Sequence, residues 1–169
     1  MDGCIEGMVP GIEKMTDQEI GFFGLFASKK ADETKIPGLM KALKDHKIWV
    51  VPTQCLAERW IAQSPTVYEL RNAPEMLDMD TKTLDSGSEN KKRQIATPGY
   101  NETDALNFVK LRKKLIYECQ KNGVGLLLGS DATQVFNVPG FYIHHELKYL
   151  VDSGRPPVAA FGSGPFESA

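Results

Sequence analysis

Two short, unbroken apolar runs constrain this chain most: Ile48-Trp49-Val50-Val51 and Val124-Gly125-Leu126-Leu127-Leu128-Gly129. Neither alternates with polar residues, so each reads as a strand buried on both faces, the pattern of a parallel sheet. Each also follows an amphipathic helix. Before the first run, Ile36, Leu39, Met40 and Leu43 recur at helical spacing, with Pro37 near the start and lysines toward the end. Before the second, the spacing predicts a helix from Glu102 to Gln120, with Phe108, Leu111, Leu115 and Cys119 on one stripe. Asn101 or Thr103 can cap its start, and Asn122-Gly123 can close it. A third helix is expected after Pro139-Gly140, carrying Ile143, Leu147, Leu150 and Val151 and ending at Gly154. Cys4-Ile5-Glu6 reads as a further short strand.

The expected order is therefore strand, helix, strand, excursion, helix, strand, helix, an α/β arrangement. The excursion spans residues 56–99. Within it Ser64-Pro65 starts a short helix over Thr66 to Arg71 and Pro74 ends it. The polar stretch from Thr81 to Thr97 is expected as a loop or lid, with Lys91-Lys92-Arg93 a solvated charge run. Residues 159–169 read as a Gly/Pro-rich tail.

Composition narrows the function. With 20 Lys plus Arg against 22 Asp plus Glu, the net charge is −2, which argues against a nucleic-acid grip. No apolar run is long enough to span a membrane, and Met1-Asp2-Gly3-Cys4 lacks the pattern of a signal peptide. A cytoplasmic location is the default expectation, although a missing N-terminal region could carry a signal. Cys4, Cys55 and Cys119 have no metal-site spacing and read as reduced thiols. His144-His145-Glu146 fails the zincin pattern because Tyr149 stands where the second histidine belongs. No P-loop, G-x-S-x-G or G-x-G-x-x-G occurs.

In parallel sheets, functional groups sit at the carboxyl ends of strands. Three places qualify: Glu6-Gly7, Thr53-Gln54 and Ser130-Asp131. Asp131 is the most informative. A carboxylate at the end of a buried strand either binds a metal, accepts hydrogen bonds, exchanges a proton or caps the next loop.

Gly125-Leu126-Leu127-Leu128-Gly129-Ser130-Asp131-Ala132, with Val138-Pro139-Gly140-Phe141, His145-Glu146-Leu147, Leu150-Val151 and Gly154, resembles the last βα unit of the amidohydrolase superfamily. The likeness is to its imidazolonepropionase-like and prolidase-like branch. Leu39 to Thr53 resembles the family's seventh strand with the helix before it, and Ile5-Glu6-Gly7 its sixth strand. The resemblance runs from about Gly3 to Val158. It implies a partial (β/α)8 TIM-type barrel, approximately strands 6 to 8 with their helices, over residues 1–158. It also implies metal-dependent hydrolysis of carbon–nitrogen bonds in an amide, cyclic amide or dipeptide substrate. Asp131 then takes the role of metal ligand and general base, with a divalent metal, zinc first, as cofactor. Thr53, Thr133 and His144 are the expected substrate-binding, pocket-lining residues.

The departures from that pattern are specific. At 169 residues the chain falls short of the roughly 250 of a whole barrel. It contains no His-x-His, and Gly7 stands where the family commonly has a histidine. One carboxylate does not hold a catalytic zinc, which usually takes three protein ligands. The chain is expected to act as a hydrolase fragment, not competent alone, with weak metal binding or none. Its partners are then the missing barrel strands or a second copy of itself, because open sheet edges invite pairing. The alternative is a non-catalytic truncated relative or an α/β interaction module.

Overall fold

A computed structural model describes residues 1–154 and Pro156; the expected tail and the boundary at Val158 lie outside the described residues. Eight α-helices are found among them: α1 (Asp2–Glu6), α2 (Asp17–Ile20), α3 (Ile36–Asp45), α4 (Gln54–Trp60), α5 (Val67–Arg71), α6 (Thr81–Ile95), α7 (Glu102–Asn122) and α8 (Tyr142–Asp152). Short 3-10 turns join several of them. The expected α/β partial barrel is not there. Among the described residues sheet pairing is reduced to one isolated parallel bridge, Val50 with Leu126.

The bridge joins the two apolar runs, and its brevity has a local cause. Val50 N–H donates to the Gly125 carbonyl, and Leu127 N–H donates back to the Val50 carbonyl, both at 2.9 Å. Toward the N-terminus, Ile48 N–H is already committed to Leu43 at the end of α3, at 2.8 Å. Toward the C-terminus, the next residue that could donate is Pro52, which has no N–H. After it, Thr53 turns into the left-handed region at φ 48°. A ladder therefore cannot grow in either direction. The third expected strand, Cys4-Ile5-Glu6, is instead part of α1, which buries Ile5 in the core.

Two glycines let the paired segments close up. A Cβ on Gly125 would lie 2.4–2.8 Å from the Trp49 indole, and one on Gly129 would lie 2.6 Å from Val51. On the outer side, Ile48, Trp49 and Val51 stay partly open to solvent.

The helices expected from periodicity form nearly where expected. α3 buries Ile36, Met40 and Leu43, and it packs along α7, which buries Phe108, Leu115 and Cys119. Asn101 caps α7 by accepting from Asp104 N–H, and Gly123 closes it at φ 70°. These helices, with α1, Val50 and Leu126, form the main core. A smaller core gathers Cys55, Leu70, Met76, Phe136, Val138 and Tyr142.

The stretch read as a polar loop is a helix. In α6 the inward positions are Gly87, Ser88, Lys91 and Gln94. They share one helical face but carry no aliphatic side chain, so the usual apolar signal is missing. Asp80 caps the helix by accepting from Thr83 N–H at 3.0 Å. Lys91, expected in a solvated run, is 0% exposed. α5 is capped not by Ser64 but by Thr66, in a reciprocal capping box with Glu69.

Candidate functional site

The bridge sets two of the sequence-predicted residues side by side. Thr53 follows one paired segment and Asp131 follows the other, both in left-handed backbone, at φ 48° and 55°. Both line a cavity of about 30 Å³, close to the room one water needs. Asp2 of α1 and Arg112 of α7 complete its polar wall, beside Phe23 and Leu56.

Arg112 organises this corner. It is buried inside the stripe of α7 and donates to the Pro52 carbonyl at 2.6 Å and to Gln54 Oε1 at 3.3 Å. It also forms an ion pair with Asp2. Asp131 itself is exposed and accepts a hydrogen bond from Gln134 Nε2 at 2.9 Å. Thr53 donates its hydroxyl to the Pro52 carbonyl, so that group turns away from the start of α4.

A buried carboxylate takes over the capping of α4. Glu146, from α8, accepts from the backbone N–H groups of Gln54 at 2.9 Å and Cys55 at 2.7 Å. Burial pushes its carboxyl up from the ordinary range, and the two backbone N–H groups pull the other way. At the opposite end of α4, Lys91 Nζ donates to the carbonyls of Arg59 and, at 2.7 Å, Ala62. Burial pulls the Lys91 ammonium down to about 8. A carboxylate at the N-terminus and an ammonium at the C-terminus both interact favourably with the helix dipole. Cys55 is buried against Ser130, and burial raises its thiol pKa, so it is an inert core thiol.

His144 is exposed on α8 and is not among the residues lining the Thr53–Asp131 cavity. His145 turns inward instead. Its Nε2 lies 3.2 Å from Glu75 Oε1, and Arg59 lies between α4 and α8 against both His145 and Tyr142. Burial, then the Arg59 charge, lowers the His145 pKa, and Glu75 pulls the other way. Glu75 also pairs with Arg59 at 3.4 Å, so these side chains are committed to one another.

Thr133 does not face the small cavity. It lines a separate cleft of about 560 Å³ between α6 and the loop after Asp131. Gln134 connects the two places, since it lines the cleft and bonds Asp131. The structure thus joins Thr53 with Asp131, sets Thr133 one residue beyond that link, and leaves His144 outside.

The donor set does not fit a metal ion. Among the described residues no three His, Cys, Asp or Glu side chains converge in a way that could hold one. The second carboxylate at the cavity, Asp2, is already paired with the Arg112 guanidinium, a fixed positive charge that disfavours a second cation there.

Sequence reading missed Arg112, Glu146, Lys91 and the Arg59–Glu75–His145 group. For Arg112 a signal existed: it stands four residues after Phe108 and three before Leu115, a charge inside an apolar stripe. For the others, the partners are distant in sequence and nothing local marks them. No helix among the described residues is long and apolar enough to cross a membrane. No family profile, curated protein or solved structure matches the chain.

Proposed function

We propose that this chain is an amidohydrolase-related polypeptide that supplies one carboxylate, Asp131, to a carbon–nitrogen bond hydrolase and is not competent alone. The observation that supports this reading is the parallel pairing of Val50 with Leu126, which brings Thr53 and Asp131 onto one cavity. Two segments far apart in sequence need not deliver their following residues to a common point. Here they do, and both residues hold backbone conformations that non-glycine residues seldom adopt. In this reading Asp131 accepts a proton from the attacking water, and Thr53 borders the same small cavity. A divalent metal, zinc first, would need its ligands from another polypeptide, since the described residues do not hold one.

A second reading, a non-catalytic relative that serves as an interaction protein, draws on the Arg112–Asp2 pair. A guanidinium buried at the cavity wall occupies the ground a metal would need.

Titration calorimetry with zinc chloride and with manganese chloride, on the chain and on Asp131→Ala, tests the proposal. The expected result is weak one-site binding in the millimolar range that Asp131→Ala abolishes. A submicromolar site would overturn the claim that the chain is incomplete. Weak binding unchanged by Asp131→Ala would remove Asp131 from the ligand set and leave the non-catalytic reading.

A further inference from the structure

A cleft of about 630 Å³ is formed by residues of α2, the turn after it and the end of α6. It shares no lining residue with the Thr53–Asp131 cavity, and its size lies in the range of small-molecule sites. Two aromatic rings line it. Phe22 is 37% exposed and Phe26 is half-buried, so both present ring surface to solvent. Each ring is also fixed from behind. Phe22 meets Trp60 edge-on at a ring-centre distance of 4.6 Å. Phe26 lies against Gly21, where a Cβ would stand 2.6 Å from the ring, so a larger residue there would push the ring away.

The charge around these rings has one sign. Asp17 is exposed, and its carboxylate forms no ion pair among the described residues; the capping box of α2 uses Glu19 instead. No Lys, Arg or His among the described residues lines the cleft. Gln94, Thr97 and Pro98 bring the end of α6 to it, and a helix carries partial negative charge at its C-terminus. Lys92 and Arg93 stand in that last turn but do not line the cleft, and Lys92 is paired with Glu89 at 2.9 Å. An aromatic face also attracts cations. Phe26 already does so: Lys29 Nζ sits 5.9 Å from its ring centre, with its charge matched by Asp104 at 2.9 Å. An anion has little to hold it. The Thr97 hydroxyl is given to the Arg93 carbonyl and Gln94 is buried, which leaves the Gln18 amide as the free side-chain donor among the described residues.

We propose that this cleft binds an organic ammonium ion, its charged nitrogen beside Asp17 and its hydrocarbon part against Phe22, Phe26 and Pro98. The carboxylate, the helix end and the ring faces all favour a positive charge at the same place, and the two rings with Pro98 favour an apolar body. The site depends neither on Asp131 nor on a metal.

Phenethylamine, phenethyl alcohol and phenylacetate share a phenyl group and differ in charge, and each is titrated into the chain by calorimetry at neutral pH. The expected result is saturable binding of phenethylamine in the millimolar range, with the alcohol about tenfold weaker and no binding of phenylacetate. Asp17→Asn should weaken phenethylamine about fivefold and leave the alcohol unchanged. Phe22→Leu should weaken both, with thermal unfolding as the check that each variant keeps its fold. Equal binding of amine and alcohol would overturn the proposal, because charge would then not be read. Phenylacetate binding as tightly as the amine would overturn it by sign. Amine binding that Asp17→Asn leaves intact would place the ligand elsewhere and overturn it too. So would the absence of phenethylamine binding; binding of Nα-acetyl-lysine amide in its place would assign the cleft to a lysine side chain of another polypeptide.

Discussion

Replacing Glu146 by alanine should be among the most damaging single changes in this chain. The side chain is 0% exposed, and its two oxygens accept the first backbone N–H groups of α4. Thr53 cannot substitute as a cap, because its left-handed backbone and its bond to Pro52 turn the hydroxyl away. Truncation thus leaves two N–H donors unpaired at the start of a seven-residue helix that has little stability of its own. Each buried donor left without a partner costs about 1–3 kcal/mol. The packing lost with the side chain adds to that, and about 3–5 kcal/mol in total is expected from two such donors. For a domain of this size, that lowers Tm by roughly 10 °C. Glu146→Gln keeps a carbonyl acceptor and should lose about 1–2 kcal/mol. Urea unfolding followed by circular dichroism reads both changes as a shift in midpoint at constant slope. A Glu146→Ala loss below about 0.5 kcal/mol would refute the reasoning, since that is the scale of an ordinary surface substitution.

Two other outcomes follow from buried groups and close contacts. Lys91 holds its proton less tightly in the folded chain, at about 8, than the ordinary 10.5 it regains on unfolding. Between those values the unfolded chain binds more protons, so stability should rise with pH, by on the order of 3 kcal/mol across the window. Lys91→Met should flatten that rise in a pH series of urea melts; an unchanged slope would mean that another group titrates there. Gly125→Ala should drive the Trp49 indole off the bridge, because the new methyl would lie 2.4 Å from the ring. A loss of about 1–3 kcal/mol is expected, largely relieved in the Gly125→Ala, Trp49→Ala double variant.

What the sequence discloses depends on where a residue's partners lie. α3 and α7 are legible because their apolar stripes, caps and stops are all local, down to Asn101 and Gly123. α6 is not, because what it buries is Gly87, Ser88, Lys91 and Gln94, whose burial is settled by partners outside the helix. Lys91 is held by carbonyls about thirty residues away, and no local pattern could show that. The apolar runs at 48–51 and 124–129 are extended and do meet in parallel, yet they do not make a sheet. Whether such a run becomes a strand depends on neighbours that can continue the ladder, and Leu43 and Pro52 close it at both ends. For the site, the proximity of Thr53 and Asp131 could be expected from strand ends. The positions of Thr133 and His144 depended on loop path and helix rotation, which periodicity does not fix.

The single bridge has a consequence for how the molecule comes apart. Among the described residues two backbone hydrogen bonds pair Val50 with the segment of Leu126, and the loop they close contains four helices, α4 to α7. Closing so long a loop is entropically expensive until the enclosed helices have already gathered, so this contact belongs late in folding. The same logic run backwards places it early in opening. The amide protons of Val50 and Leu127 should then exchange with solvent before those in the middle of α7, even though both segments touch the same core. A contact that looks like the seam of the structure would in that sense be its latch.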